Sequence, residues 1–229
     1  MSGAITGFVT GGMTSNHCFV AGTLVETIDG PIPIEQVEES EFVLLADFCL
    51  HLGGIVMLRK IMKYSDLDER KLMDIYSESN YDNTEYFYPD EKDKEKAVKL
   101  VETNFCDFLK NDFFKREDSV YWIYEENGEW LSALRTNMVE PRLFYIEALE
   151  TPPESRKKGY AAHLINLVLE NLKKEGSFRV CDCVSKKNTA SLKTHEKCGF
   201  KIVSDKGYDY LRNEESDRDY SLEYNYVVD

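Results

Sequence analysis

A basic, glycine-containing segment in the second half of the chain has the composition of an anion site. It occupies positions 151 to 161 and reads Thr-Pro-Pro-Glu-Ser-Arg-Lys-Lys-Gly-Tyr-Ala, between a predicted strand and a predicted amphipathic helix. The first turn of a helix leaves backbone N–H groups without partners, and its positive end attracts anions. Glycine also lets the backbone approach a ligand closely. The segment therefore predicts a phosphate or pyrophosphate site; an ordinary turn with a solvated basic cluster is the alternative.

Four potential zinc ligands follow this segment, as Cys181-x-Cys183 and His195-x-x-Cys198. The first two would share a strand face and the last two a helix face, but Cys-x-Cys is tighter than the usual spacing in zinc sites. Buried cysteines also behave as small apolar residues. We therefore expect no metal ion here.

These segments need a framework of helices and strands, which the spacing of apolar residues predicts. Apolar residues recur at helical steps in several segments, and Asn127-Gly128 has the composition of a tight hairpin turn. The predicted helices span 66–77, 91–114, 159–174 and 188–198. The predicted strands span 56–62, 119–124, 129–136, 143–149, 178–184, 200–203 and 220–227, and the acidic stretch 205–219 is expected to be a solvated loop. This order indicates an α/β domain.

Two motifs in this framework resemble those of the GNAT superfamily of N-acetyltransferases. Arg156-x-x-Gly159-x-Ala161 is similar to the family's Arg/Gln-x-x-Gly-x-Gly/Ala motif. Asn188-Thr-Ala-Ser-Leu-Lys-Thr-His-Glu-Lys-Cys-Gly-Phe200 is similar to the family's Asn-…-Tyr-Glu-Lys-x-Gly-Phe segment at matching spacing. The resemblance covers about residues 57–229. It implies a mixed, mostly antiparallel central sheet flanked by helices, preceded by residues 1–56 as a short N-terminal extension.

The resemblance implies that acetyl-CoA binds as co-substrate. The backbone of the first motif would hold the pyrophosphate, and the end of the central strand would pair with the pantetheine arm. Asn188 would contact the arm from the far side, and it also fits the N-cap of the following helix without any ligand. The implied coenzyme-binding residues are Leu149, Glu150, Thr151, Arg156, Lys157, Lys158, Gly159, Tyr160, Ala161 and Asn188.

The implied reaction is acetyl transfer to the primary amine of a small molecule or a peptide. It needs a neutral amine, a polarised thioester carbonyl and a proton for the departing thiolate. The family often supplies that proton from a tyrosine at the position of His195, and a charged histidine can also donate one. Glu147 and Glu150 are the candidate bases, and their spacing of three predicts that they point to different strand faces. All three residues also have purely structural interpretations.

Composition limits the class of the protein and its partners. The 229 residues carry a net charge of −14, which argues against a general nucleic-acid binder and suits a cationic or amine-bearing partner. The sequence has no recognisable secretory signal or clean membrane span, and its six dispersed cysteines are typical of free thiols. We expect a cytoplasmic protein without membrane association, as a monomer or a homodimer.

The two parts of the chain differ in composition. Residues 1–56 contain no Lys or Arg, whereas residues 57–229 contain all 28 basic residues, so we expect a boundary near Gly53-Gly54. The stretch 18–47, which opens Cys18-Phe-Val-Ala-Gly-Thr-Leu, resembles the start of a Hint (intein-like) autoprocessing domain. The family's later Thr-x-x-His block and terminal His-Asn pair are missing. We therefore expect a truncated remnant without autoprocessing, or simply two short strands around Asp29-Gly30 with a free Cys18.

Two other functions stay open at this stage. A non-catalytic acyl-CoA-binding or interaction module would keep the anion site and lose turnover, and His195 in place of tyrosine is the feature that supports it. A toxin-type acetyltransferase from a polymorphic toxin cassette would modify an aminoacyl group, including one on an aminoacyl-tRNA. Only the Hint-like segment suggests the second alternative.

Overall fold

A computed structural model describes residues 9–10, 24–27, 30–33 and 56–228 of the chain. The chain divides into two compact units, Met1–Met57 and Leu58–Asp229. In the first unit, the strands β1 (Val9–Thr10), β2 (Leu24–Thr27) and β3 (Gly30–Pro33) pair in an antiparallel manner. Apart from β2 and β3, the Hint-like stretch 18–47 lies outside the described residues, as does Cys18.

Residues 56–228 contain every predicted helix and strand in the expected order, together with the helix Ser77–Phe87 and the strands Gly207–Asp209 and Glu214–Ser216, which were not predicted. The helices are α1 (Glu69–Ile75), α2 (Ser77–Phe87), α3 (Lys94–Asn111), α4 (Tyr160–Lys173) and α5 (Thr189–Lys197). The strands are β4 (Val56–Ile61), β5 (Ser119–Glu126), β6 (Glu129–Glu140), β7 (Leu143–Glu150), β8 (Phe178–Ser185), β9 (Lys201–Ser204), β10 (Gly207–Asp209), β11 (Glu214–Ser216) and β12 (Asp219–Tyr226). Within these residues, no helix is both long enough and apolar enough to cross a membrane.

A seven-stranded sheet organises this unit, in the order β4-β5-β6-β7-β8-β12-β9. The recorded strand pairs in it are antiparallel except β7 with β8, which run parallel. This arrangement confirms the expected fold class, a mixed and mostly antiparallel sheet with flanking helices. The Asn127-Gly128 hairpin is also confirmed, since both residues have positive φ between β5 and β6.

Helices cover both faces of the sheet. On one face, Tyr121 and Ile123 of β5 pack with Leu72 of α1 and with Leu109 of α3. The alternate strand residues point the other way, and there the Tyr124 ring lies 5.2 Å from the ring of Tyr160 in α4. Buried leucine, isoleucine and valine side chains line α4 on the side that faces the sheet: Leu164, Ile165, Leu167, Val168, Leu169 and Leu172.

The prediction of a loop over 205–219 is wrong, because β10 and β11 pair as a hairpin with Gly207 opposite Ser216. Gly207 lies so close to the sheet that an added Cβ would be 2.5 Å from Cys183 Sγ. The hairpin is held by this tight backbone approach and by Tyr210 and Leu211, which pack against the buried cluster around Tyr145. Helix α2 was not predicted either, since Ser77–Phe87 is largely polar and buries only Asn80 and Thr84.

Candidate active site

Strands β7 and β8 separate in the middle of the sheet. Their parallel pairing covers Leu143 with Arg179 through Tyr145 with Cys181 and then stops, although β7 continues to Glu150 and β8 to Ser185. Beyond that point, β7 stays paired with β6 and β8 stays paired with β12 on their outer edges. The facing inner edges have no strand partner within residues 56–228. Their backbone groups are thus available to an extended ligand in the gap between the strands.

A bulge in β7 lies at the end of this gap. The pairing between β6 and β7 passes from Arg135 with Glu147 to Ala133 with Glu150, so β7 has one extra residue there. Ala148 has a φ of 54°, a left-handed conformation that is rare for a residue other than glycine. The Tyr76 hydroxyl donates a hydrogen bond to the carbonyl of Ala148 and so supports this backbone conformation.

The bulge changes where the two candidate bases point. Because one residue is inserted between them, the alternation of side chains is broken, and Glu147 and Glu150 line the same cavity. The expectation that a spacing of three separates them onto different faces is therefore wrong. The cavity has a volume of about 540 Å³. Its walls come from α2, α3, β6, β7 and the tip of the β10–β11 hairpin, and its apolar part includes Phe87, Val101, Phe105 and Phe108.

An arginine from the sheet holds Glu147 in place. The Glu147 carboxylate lies 3.2 Å from the Arg135 guanidinium and accepts a hydrogen bond of 3.2 Å from the Asn137 side-chain amide. Arg135 is buried, and its guanidinium lies 5.1 Å from the ring centre of Phe108 and 5.7 Å from that of Phe105. Contact with these ring faces stabilises the buried cation, so this ion pair is part of the core as well as of the cavity wall.

Glu150 has its own set of partners. It accepts a hydrogen bond of 2.5 Å from the Ser79 hydroxyl and lies 3.2 Å from the Arg156 guanidinium. Arg156 also pairs with Glu78 and donates from Nε to the Thr151 carbonyl at 2.8 Å. The Arg156 side chain is thus directed to the cavity wall. Only its backbone belongs to the segment that was predicted to bind an anion.

The predicted anion segment has exposed, unpaired backbone donors. Lys157 and Gly159 have positive φ angles of 63° and 90°, and α4 begins at Tyr160. The first hydrogen bond of the helix runs from the His163 N–H to the Gly159 carbonyl. The backbone N–H groups of 157–162 have no acceptor among the described residues, and the side chains of Lys157 and Lys158 lie exposed beside them. The free backbone donors are thus observed, and binding of an anion by this turn stays a prediction.

The remaining predicted coenzyme contacts lie around the gap. Leu149 and Ala161 are half-buried, and the Thr151 hydroxyl lies 2.9 Å from that of Ser132. Asn188 caps α5, since its side-chain oxygen accepts a hydrogen bond of 3.0 Å from the Ser191 N–H. The capping interpretation of Asn188 is therefore observed, and a contact with a ligand stays a prediction.

His195 is enclosed in the fold. Its side chain has no exposed surface, Nε2 lies 2.8 Å from the Asp182 carboxylate, and Nδ1 lies 2.9 Å from the Ser191 carbonyl. Burial lowers the pKa of His195, but the Asp182 carboxylate outweighs burial, and the net effect raises the pKa above the ordinary value of a histidine side chain. Asp182 in turn accepts a hydrogen bond of 2.6 Å from the Cys183 N–H in β8. In this conformation neither ring nitrogen of His195 faces the gap.

The four potential zinc ligands are divided between the two faces of the sheet. Cys181 packs with Tyr145, and Cys183 packs against the same cluster. Asp182 points to the opposite face, where it meets His195. Within the described residues, no group of three or more His, Cys, Asp or Glu side chains is placed to hold a metal ion.

Sequence reasoning missed several residues of the cavity. Arg135 could have been noticed as a charge in an otherwise apolar strand, and Tyr76 as the last aromatic residue of a predicted helix. Ser79 and Arg212 gave no signal, because Ser79 follows that helix and Arg212 lies in the stretch interpreted as a loop.

Comparisons with known proteins agree with this geometry. A family model described as the Acetyltransferase (GNAT) family matches residues 70–200. The PaiA N-acetyltransferase of Thermoplasma acidophilum, solved in complex with coenzyme A, is 16% identical with a TM-score of 0.53, and the match covers 75% of this chain and 99% of that chain. The aminoglycoside acetyltransferase AAC(6')-Ib, solved with coenzyme A and kanamycin, is 15% identical with a TM-score of 0.51, and the match covers 74% and 94% of the two chains. No curated protein sequence matches.

The pair of His195 and Asp182 gives a pH-dependent contribution to stability. Because the folded-state pKa of His195 is raised, the contribution is fully present below pH 6.5 and is lost as the pH rises through the folded pKa. We expect Asp182→Asn to lower the free energy of unfolding by about 3 kcal/mol at pH 6 and by less at pH 8 to 9, measured by urea denaturation. Asp205→Asn, at an exposed ion pair with Lys186, is the matched control and should have little effect. A loss that is equal at both pH values would contradict the prediction.

Proposed function

The chain belongs to the GNAT family of acetyltransferases, and on that premise we propose that it transfers the acetyl group of acetyl-CoA to a primary amine in the cavity. The observation that carries this proposal is the convergence of Glu147 and Glu150 on one cavity at the end of the gap between β7 and β8. A cavity of about 540 Å³ has the size of a small-molecule site. It is also open to solvent, so the amine of a peptide can enter it.

The residues around the gap fit a coenzyme. The unpaired N–H groups of 157–162 and the exposed Lys157 and Lys158 suit a pyrophosphate. The free edge of β7 from Leu149 to Thr151 suits the amide groups of the pantetheine arm, and Asn188 lies at the start of the helix that follows β8. When bound, acetyl-CoA supplies a thioester carbonyl that an amine can attack.

Glu147 and Glu150 are the proposed binding and proton-accepting groups for the amine. An alkyl amine is protonated at neutral pH, so it must lose a proton before its nitrogen can act as a nucleophile. Each carboxylate has fixed partners, Arg135 for Glu147 and Arg156 for Glu150, which orient it toward the cavity without filling the cavity. The proton passes to one of these carboxylates directly or through a water molecule.

We propose a positioning role for His195 instead of direct proton donation. A direct donor must reach the sulfur of the leaving thiolate, and both nitrogens of His195 face partners inside the fold. Through Asp182, His195 links α5 to β8 at the edge of the gap. The thiolate then takes its proton from water, because the hydroxyl of Tyr160, in the first turn of α4, donates to Glu126 of β5 at 3.2 Å.

Replacement of Gly159 by valine should abolish binding of acetyl-CoA. Gly159 has a φ of 90°, and an added Cβ would lie 3.2 Å from the His163 ring, so the side chain distorts the turn and stands over the backbone donors. Calorimetry with acetyl-CoA measures the affinity. Gly176→Val is the matched control, because Gly176 has a φ of 98° with nothing within 4 Å of an added Cβ. Unchanged affinity in Gly159→Val would contradict the assignment.

Replacement of Glu147 or Glu150 by glutamine should lower turnover more than coenzyme affinity. We expect kcat to fall by about 100-fold or more for the residue that accepts the proton, since general-base catalysis contributes on that scale. The assay follows release of free thiol from acetyl-CoA with a panel of primary amines. Glu154→Gln, an exposed carboxylate outside the cavity lining, is the control. Full activity in both variants, or no dependence of thiol release on any amine, would refute this proposal.

Residues 1–56 are proposed to be dispensable for coenzyme binding by residues 57–229. A shortened chain that begins at Met57 should bind acetyl-CoA with unchanged affinity, provided that its thermal unfolding shows a folded protein. The full chain should also keep its intact mass after incubation with thiol, with Cys18→Ser as the control for cleavage at Cys18. Loss of affinity in a folded shortened chain, or a thiol-induced fragment that begins at Cys18, would contradict this division.

A further inference from the structure

The tip of the β10–β11 hairpin carries an arginine into the lining of the acceptor cavity. Asp209 accepts hydrogen bonds from the backbone N–H groups of Leu211 at 2.9 Å and Arg212 at 3.0 Å, which fixes the turn. The other Asp209 oxygen lies 2.5 Å from Arg212 Nη1. Arg212 lines the cavity together with Glu147, and 71% of its side chain is exposed. The hairpin thus holds a guanidinium at the cavity by one of its nitrogens.

Two arginines of residues 56–228 line the cavity, and they differ in exposure: Arg135 is buried, whereas Arg212 is exposed. Glu147 is paired with Arg135, and Glu150 shares Arg156 with Glu78. Among the described residues, Arg212 has Asp209 as its sole hydrogen-bonding or ion-pair partner, so Nε and Nη2 keep their donors free. A guanidinium with a free edge is suited to a carboxylate, which it can bind through two parallel hydrogen bonds.

The exposed guanidinium of Arg212 distinguishes between classes of amine. A diamine would bring its second ammonium group next to the exposed Arg212 guanidinium, which repels a cation. A monoamine with a carboxylate would place its ammonium at Glu147 or Glu150 and its carboxylate at Arg212. The walls formed by Phe87, Phe105 and Phe108 would then enclose the apolar body of the molecule.

We propose that the acceptor is an amine that carries both a carboxylate and an apolar body, the chemistry of an apolar amino acid, and that Arg212 determines this specificity by binding the carboxylate. The inference rests on the acetyl transfer proposed above and specifies its substrate class.

The test compares acceptors that share one apolar body. L-Phenylalanine, L-phenylalanine amide and phenethylamine differ in the carboxylate, and a second set of 5-aminopentanoate, pentylamine and 1,5-diaminopentane varies the distance between the charges. In the wild-type protein we expect kcat/KM to be higher for the carboxylate member of at least one set, with the diamine the poorest acceptor of its set. In Arg212→Gln the ratio of kcat/KM between carboxylate and matching monoamine should fall by about 10- to 100-fold, since hydrogen bonds to charged groups have that effect.

Arg218→Gln is the matched control, because Arg218 is an exposed arginine that follows the same hairpin and does not line the cavity. It should keep both the activity and the acceptor ratio of the wild-type protein. Thermal unfolding of both variants checks that the hairpin is intact. A wild-type protein that acetylates the monoamines as well as the carboxylates, or an acceptor ratio that survives in Arg212→Gln, would overturn the inference and leave the proposed acetyl transfer intact.

A binding measurement decides the inference independently of turnover. Calorimetry compares N-acetyl-L-phenylalanine with its amide, which are the products expected from two of the acceptors. Tighter binding of the carboxylate that is lost in Arg212→Gln supports the inference, and equal binding of the two products overturns it. A protein that binds acetyl-CoA but acetylates none of the amines would refute the proposed function instead.

Discussion

The divergence of two parallel strands after three pairs of residues shapes the rest of this domain. Past Tyr145 and Cys181, β7 and β8 no longer share hydrogen bonds, although each continues for several residues beside its outer neighbour. An open edge inside a sheet exposes backbone groups that a folded protein normally pairs. Two features stabilise the strands on either side of the gap: the bulge at Ala148 in β7, and the contact of Asp182 in β8 with His195.

Polar groups in the interior are the second consequence of this geometry. Arg135, Asp182 and His195 are all buried, and each faces a partner of opposite charge or a ring face. Such groups contribute little net stability, because their desolvation offsets much of the attraction between them. Their value is positional: Arg135 fixes a carboxylate at the cavity, and His195 fixes a helix against the strand that borders the gap.

The regular elements of this fold were predictable from the sequence, and the site was predictable only in part. Apolar spacing indicates α3 and α4 because their buried residues recur on one face, and Asn127-Gly128 indicates the hairpin because its turn needs positive φ. The basic turn before α4 was recognisable because its glycine and its basic residues lie next to one another in the sequence. The bulge was not, since alanine is an unfavourable residue for a positive φ and the conformation depends on Tyr76, 72 residues away in sequence. The contact between His195 and Asp182 was not predictable either. Helical spacing places Ser191 next to His195, whereas Asp182 lies on a separate strand and no local pattern relates the two residues.

Coenzyme binding and acceptor recognition are proposed to depend largely on different parts of this chain, and the hairpin of β10 and β11 contributes to the second. The residues proposed to hold the coenzyme lie between Leu149 and Asn188, and Glu150 is the one of them that also lines the cavity. The other walls of the cavity come from α2, α3, β6 and β7 before that stretch and from Arg212 after it. Gly207, Tyr210 and Leu211 hold the hairpin against the sheet, so the exposed Arg212 at its tip can be replaced while the hairpin keeps its position. Substitutions at this position can therefore accumulate in evolution without loss of acyl-donor binding at any step. A domain built in this way can exchange one acceptor for another by drift in a few surface residues.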